Sequence, residues 1–442
     1  MSNSLADFEI SRYIERSPKS KEFFDQAQKY LPDGVTRGTS YEPYPLFWDK
    51  AEGFNIWDLD GIKRLDFFGN NSSLPLGHGN IQVQKAINQQ LQEGVSFNAP
   101  HPSHVQLAKI ICDRIKSVDL VRFTNSGTEA TMNCIYASRA YTGKPYIAKV
   151  DGAYHGMYDS VAFNSVGESY FPDKKMELPN MPAELKDTVK IIPYNDSEKS
   201  IQIIKSNADK LACVVVEPML GGSGFIQADL EYLQNLRQVT QEEGIVLVFD
   251  EVCSLRAGYG GAQAYYDVYP DMSAFGKSLG GGLPIGAFGG KREIMHLYQE
   301  GTSGQHVQHS GSFNGNPMSM ISGISTFKQL TPSVYKNLDF LTRKLKEGIK
   351  NVAGEFEIPV QVTGLGSLFA LHFNSHLIKC NSDTDSNDKD RLRQVFFGLL
   401  NEGIWPSQNL LGAVSTPMQE PEIDAYLIAL RNVFARNNMR NR

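Results

Sequence analysis

No uninterrupted apolar run in this 442-residue sequence approaches the roughly 20 residues that a membrane-spanning helix needs, so a helical membrane protein is not expected. A basic excess is also missing. The 43 Lys and Arg against 49 Asp and Glu give a formal net charge of −6, the opposite of what a nucleic-acid-binding surface normally carries. Cysteine is scarce: Cys112, Cys134, Cys213, Cys253 and Cys380 form no Cys-x-x-Cys pair and their number is odd. A disulfide framework is therefore not expected, and a reduced, cytoplasmic setting is. Residues 1–10 have no apolar core and carry two acids, so they do not read as a secretory signal. Internal repeats and low-complexity tracts are absent, the nearest approach being the Asp-, Ser- and Asn-rich stretch 381–390, expected as an exposed loop. The pairs His101/His104 and His306/His309 lack a third ligand cluster and no His-Glu-x-x-His occurs, so they read as capping and loop histidines and no metal is expected. No Gly-x-Gly-x-x-Gly follows a strand with an acid downstream, which leaves a nicotinamide site unsupported. Gly276-Lys277-Ser278 ends like a phosphate-binding P-loop, but position 271 is aspartate where that loop needs glycine.

What is present is ordinary globular composition, 41% hydrophobic and 21% charged, enough to bury a large core. The length exceeds one compact core and implies a large and a smaller domain. In the N-terminal stretch, Phe23, Phe24, Ala27 and Tyr30 share one helical face, and residues 45–68 hold two strand-like runs around Asp60-Gly61. Ser103 and Gln106 form a capping box ahead of Val105, Ala108, Cys112 and Ile115. Beyond residue 70, helical spacing alternates with short apolar runs at 120–123, 146–150, 212–216 and 245–249, with helices from Ser126 and over 230–243. These runs do not alternate with polar residues, which is the pattern of strands covered on both faces. Ile423, Leu427, Leu430 and Phe434 mark a last helix. The expected architecture is α/β: a large domain over 71–325 with a mainly parallel sheet flanked by helices, and a smaller α+β domain built from both chain ends, 1–70 and 326–442.

Three segments carry chemistry. IVLVFDEV (245–252) is a buried strand ending in acids, and acids at the carboxyl end of a parallel strand face the crevice where α/β proteins bind ligands. TNSGTEA (124–130) opens a helix. Ser126 and Glu129 fit a capping box, and the free amides of the first turn with the hydroxyls of Ser126 and Thr128 make a cup for an anion. FGKSLGGGLPIGAFGG (275–290) sets Lys277 among eight glycines or alanines with no other charge before Lys291. Desolvation there is expected to lower the pKa of the amine and make it a nucleophile for Schiff-base chemistry. A lysine for an aldehyde, a carboxylate for a pyridinium nitrogen and a cup for a phosphate are together the requirements of pyridoxal 5′-phosphate.

With these motifs the sequence resembles the class III aminotransferases of fold type I, over residues 18–436. That fold implies a seven-stranded sheet in the large domain. The resemblance implies that Asp250 of FDEV meets the cofactor's ring nitrogen, that Val252 packs on the ring and that Lys277 holds the aldehyde. It further implies that Ser126, Gly127 and Thr128 hold the phosphate and that Tyr154 of YHG, followed by His155, stacks on the ring. Glu217 of the EP motif takes a supporting role. In GSFNGNP (311–317) Ser312 stands where the family has threonine and keeps the hydroxyl that reaches the phosphate of the neighbouring subunit, which implies a homodimer with shared active sites. Within the class, the glutamate-1-semialdehyde 2,1-aminomutases and the β-amino-acid aminotransferases, such as β-phenylalanine aminotransferase, are most similar. LPDGVTRGTS, EPMLGGSGFIQ and DEVCSLRAGYGG lean toward the second. In both, an arginine after L-P-x-G-V binds the substrate carboxylate, which falls on Arg37. Some β-amino-acid aminotransferases carry a second arginine for the donor, yet the matching stretch 405–411 reads WPSQNLL. The aminomutase pattern also departs at NNSS (70–73). Loops 70–76, 154–159 and 301–311 are expected to line the pocket.

The expected activity is transfer of an amino group from a small-molecule donor to a carbonyl acceptor by a ping-pong mechanism, in which the Lys277 amine moves the proton. An aminomutase keeping the same fold is the alternative, and a non-catalytic binding protein of the same fold is an alternative of another class.

Overall fold

The computed structural model describes residues 6–38, 41–162, 182–300 and 306–440. Its centre is a seven-stranded sheet, in spatial order Leu120–Thr124, Gly286–Gly290, Met272–Gly276, Val246–Asp250, Leu211–Val216, Tyr146–Val150 and Val189–Ile192. Gly286–Gly290 runs antiparallel to both its neighbours, and all other adjacent pairs are parallel. The strands LACVVV and VLVFD are buried at every position. Alternate side chains go to opposite faces, as a pleated strand requires. Ala148, Val214, Val216, Leu247 and Phe249 meet Tyr232, Leu233 and Leu236 of the helix Leu230–Glu242. Ile147, Cys213, Val215, Val246 and Val248 meet Ala130, Cys134 and Ala137 of the helix Gly127–Thr142.

Gly286–Gly290 owes its composition to crowding. A Cβ at Gly286 would run into the Ser126 carbonyl, one at Gly289 into the Leu120 carbonyl and one at Gly290 into the Asp271 carbonyl.

The two chain ends share a core. Ile404–Trp405 adds in parallel to Lys63–Asp66, which pairs antiparallel with Asn55–Asp58, itself antiparallel to Trp48–Glu52. Tyr13, Tyr41, Tyr44 and Phe67 pack among Leu341, Phe396, Phe397, Tyr426 and Leu430. Glu9 is buried there and pairs with Arg12 and Arg436. No helix among the described residues is long and apolar enough to cross a membrane.

Several local expectations are corrected. Residues 45–68 hold three strands rather than two. The N-terminal helix divides into Asp7–Arg16 and Pro18–Ala27, because Pro18 cannot continue the first. Phe24 reaches the core while Phe23 and Tyr30 stay exposed. The helix Pro102–Arg114 is capped by the His101 ring, not by Ser103, and it buries Leu107 and Ile111 while Val105 is exposed. Stretch 381–390 is a short 3-10 run with Asn381 and Thr384 buried, then a helix from Lys389.

Candidate active site

The carboxyl ends of the parallel strands bring together most of the residues singled out above. Asp250 closes Val246–Asp250 and is 3% exposed. Its Oδ1 accepts the Val252 amide at 3.0 Å and its Oδ2 lies 2.8 Å from Nδ1 of buried His155. Burial pushes the His155 imidazole below its usual pKa despite the neighbouring carboxylate. The neutral ring places its proton on Nδ1, toward Asp250, and leaves on Nε2 a lone pair with no partner among the described residues. The sequence reading placed His155 beside Tyr154 among the cofactor-binding residues. The structure makes it the support of the acid.

Lys277 follows Met272–Gly276 and takes a left-handed φ of 47°. Burial pulls its amine down, but Cys253, Glu217 and Asp250 outweigh that and raise the pKa overall. The expected lowering is thus corrected: the glycine-rich turn is apolar, yet acids from two other strands face the lysine. Glu217 is buried, with Oε1 accepting the Tyr154 amide at 2.8 Å and Oε2 the Gly221 amide at 2.9 Å. Burial, then nearby Asp250, push its carboxyl pKa up. Two residues were missed by sequence reasoning. Cys253 lies close enough to Lys277 to help raise its pKa, with its Sγ 3.7 Å from Ser72 Oγ. Lys149, a charge inside the buried strand YIAKV, donates to the carbonyls of Ala153 at 2.9 Å and Val161 at 3.0 Å and so grips both ends of the loop carrying Tyr154 and His155. A lone lysine in an otherwise buried strand was the available signal.

The anion cup forms at the start of Gly127–Thr142. Ser126 Oγ accepts the Glu129 amide at 3.2 Å, while the Glu129 carboxylate accepts the amide of Asn125, one residue earlier than a capping box prescribes. First-turn amides have no acceptor within their helix and carry the positive end of its dipole. Val252 closes on the cup: a Cβ at Gly127 would lie 2.8 Å from both Val252 methyl groups, and one at Gly156 would strike Thr128. Ser312 is exposed, and its motif is anchored beside the cup by Asn314, whose Oδ1 accepts from Asn125 Nδ2 at 2.7 Å. Tyr154 is 41% exposed.

On the outer side, Arg37 donates to Asn70 Oδ1 at 2.9 Å. Asn70 belongs to a turn in which Gly69, Asn70, Asn71 and Ser72 all have left-handed φ, at 56°, 49°, 54° and 65°. Buried Arg256 clamps it from below. Of loop 301–311, residues 301–305 lie outside those described.

These donors fit pyridoxal phosphate. A buried carboxylate held by His155 suits a ring N–H, a half-buried lysine suits an aldehyde, and a glycine-lined helix start suits a phosphate. Tyr154, partly exposed, offers an aromatic side chain to a ring.

A type I fold with a lysine, an acid and an anion cup at one sheet edge defines the pyridoxal-phosphate-dependent transaminase class. The chain matches the family model for aminotransferase class III over residues 36–409 and belongs to that family. It is 39% identical over 394 residues to a glutamate-1-semialdehyde 2,1-aminomutase of Methanobrevibacter smithii, covering 88% of this chain and 92% of that protein. Among solved structures it is similar to an omega-transaminase from Sphaerobacter thermophilus, with a TM-score of 0.91, 37% identity and coverage of 96% and 99%. It is also similar to a β-phenylalanine aminotransferase from Variovorax paradoxus, with a TM-score of 0.90, 30% identity and coverage of 98% and 97%.

Proposed function

We propose that this enzyme moves an amino group on a small substrate bearing one carboxylate, and that the transfer is internal, as in a 2,1-aminomutase. The single observation that carries amino transfer is the convergence of Lys277, Asp250 and Glu217 beside the cup at Ser126, Gly127 and Thr128. Bound pyridoxal phosphate supplies an electron-accepting ring. Asp250 holds a proton at the ring nitrogen, and His155 keeps that carboxylate oriented. The Lys277 Nζ moves the proton at the substrate carbon that bears the amino group. Tyr154 covers one face of the ring, Val252 the other, and Glu217 fixes the Tyr154 backbone. Arg37 binds the carboxylate, and Ser312 completes the phosphate site of a partner subunit in a homodimer. The chain ends 1–70 and 326–442 form the smaller domain, beside 71–325.

Internal transfer is favoured by the charge count. Arg37 serves one carboxylate, and WPSQNLL (405–411) contains no cation for the second carboxylate of a glutamate-like donor. The aminomutase at 39% identity agrees with this reading. The omega-transaminase at 37% and the β-phenylalanine aminotransferase at 30% favour a second one, transfer between two molecules with a β-amino acid as one of them. The two separate on incubation with glutamate 1-semialdehyde alone. Formation of the isomeric amino ketone with no added acceptor and no released keto acid supports internal transfer, and activity only with a separate donor and acceptor supports the second reading. Replacing Lys277 with Ala is expected to slow turnover at least about 10²–10⁴-fold and to abolish the cofactor's covalent absorbance band. A variant retaining both rules out the assignment.

A further inference from the structure

The turn at Gly69–Ser72 is unusual because three non-glycine residues in a row are left-handed. Asparagine tolerates that conformation better than most side chains, and serine does so less well. Something must therefore hold the turn, and Arg256 does. Its Nη1 donates to the Ser72 carbonyl at 2.6 Å, its Nη2 to the Val414 carbonyl at 2.7 Å and its Nε to Ser367 Oγ at 3.0 Å. The guanidinium is 1% exposed, and all three acceptors are neutral. It thus ties the turn to two segments of the C-terminal part of the chain. Ser72 also abuts Cys253, which faces Lys277, so the turn is registered against the reacting lysine. From its outer end Asn70 Oδ1 accepts from Arg37.

We propose that Asn70 is a positioning residue for substrate selection: the clamped left-handed turn sets its side-chain oxygen, which aims the Arg37 guanidinium at the substrate carboxylate at a fixed distance from Lys277. This rests on the reading of Arg37 as the carboxylate-binding group. The bond to Asn70 engages one nitrogen, orients the plane of the guanidinium and restricts its rotation, so carboxylate-bearing substrates gain over amines of the same size.

The test uses the cofactor-loaded enzyme and two probes. Valerate, an unreactive monocarboxylate, is titrated by calorimetry. An amino acid and an amine lacking a carboxylate are then compared by the concentration that half-bleaches the cofactor band. Asn70→Gly keeps the left-handed backbone accessible and removes the side-chain oxygen with the rest of the carboxamide. It is expected to weaken valerate about tenfold, the scale of one hydrogen bond to a charged group, and to raise the half-bleaching concentration of the amino acid by the same factor relative to the amine. Asn70→Asp, which neutralises Arg37, weakens valerate further. Asn70→Gly combined with Arg37→Ala binds no more weakly than Arg37→Ala alone. Unchanged valerate binding in Asn70→Gly, or additive losses in the double variant, overturns the inference and leaves the Arg37 reading intact. Unchanged binding in Arg37→Ala overturns both.

Discussion

Gly127 and Val252 show how little room the cofactor cup has. A methyl group at Gly127 would press on both Val252 methyls at 2.8 Å, and overpacking of this kind costs about 1–3 kcal/mol. Gly127→Ala is expected to lower the thermal midpoint and weaken pyridoxal phosphate binding, both measurable by scanning calorimetry and fluorescence titration. Adding Val252→Ala restores space and recovers part of the loss, whereas a double variant worse than the single one would separate the two positions. At this scale the sequence was informative where chemistry is local. Lys277 stands out among glycines, and Asp250 ends an apolar run. It was silent where partners come from elsewhere. The rise in the Lys277 pKa depends on Glu217 and Cys253, and the support of Asp250 comes from His155, 95 positions earlier.

Single elements divide the same way. Strands such as Leu211–Val216 were legible because burial on both faces leaves an unbroken apolar run. The turn Gly69–Ser72 was not, since NNSS reads as any polar loop and its strain, on the order of 1 kcal/mol or more for each non-glycine residue, is sustained by a distant arginine. The strand Leu368–His372 yields a pH prediction. His372 Nε2 lies 3.1 Å from the Gly224 carbonyl and 3.0 Å from Thr363 Oγ1, and burial pushes its pKa down to about 4. The unfolded chain therefore binds the extra proton between about pH 6.5 and pH 4, so stability is complete above that window and is lost as pH falls through it. Roughly 2 kcal/mol should disappear between pH 7 and pH 5. Urea midpoints at the two values measure it, and His372→Gln should flatten the dependence. Equal slopes for variant and parent would assign the acid sensitivity to other groups.

For the whole molecule, amphipathic helices and β-branched strands beyond residue 323 were readable. The pairing of Ile404–Trp405 with Lys63–Asp66 was not, because strand register over such a separation leaves no local mark. The proposed shared site predicts a dimer by analytical ultracentrifugation. It also predicts that Ser312→Ala weakens pyridoxal phosphate about tenfold, the loss of one hydrogen bond to a charged phosphate, with the dimer preserved. A variant of full affinity would detach Ser312 from the phosphate.

The antiparallel strand Gly286–Gly290 lies between the strand that leads into the cup and the strand that leads into Lys277. It acts as a spacer that cannot be widened, since at three of its five positions any larger side chain meets backbone. Substrate preference can therefore drift through the outer loops during evolution or in directed selection, while the distance from phosphate to amine stays fixed. A mutational scan of this protein should find an intolerant corridor at 286, 289 and 290, adjoining segments where changes alter preference without ending catalysis.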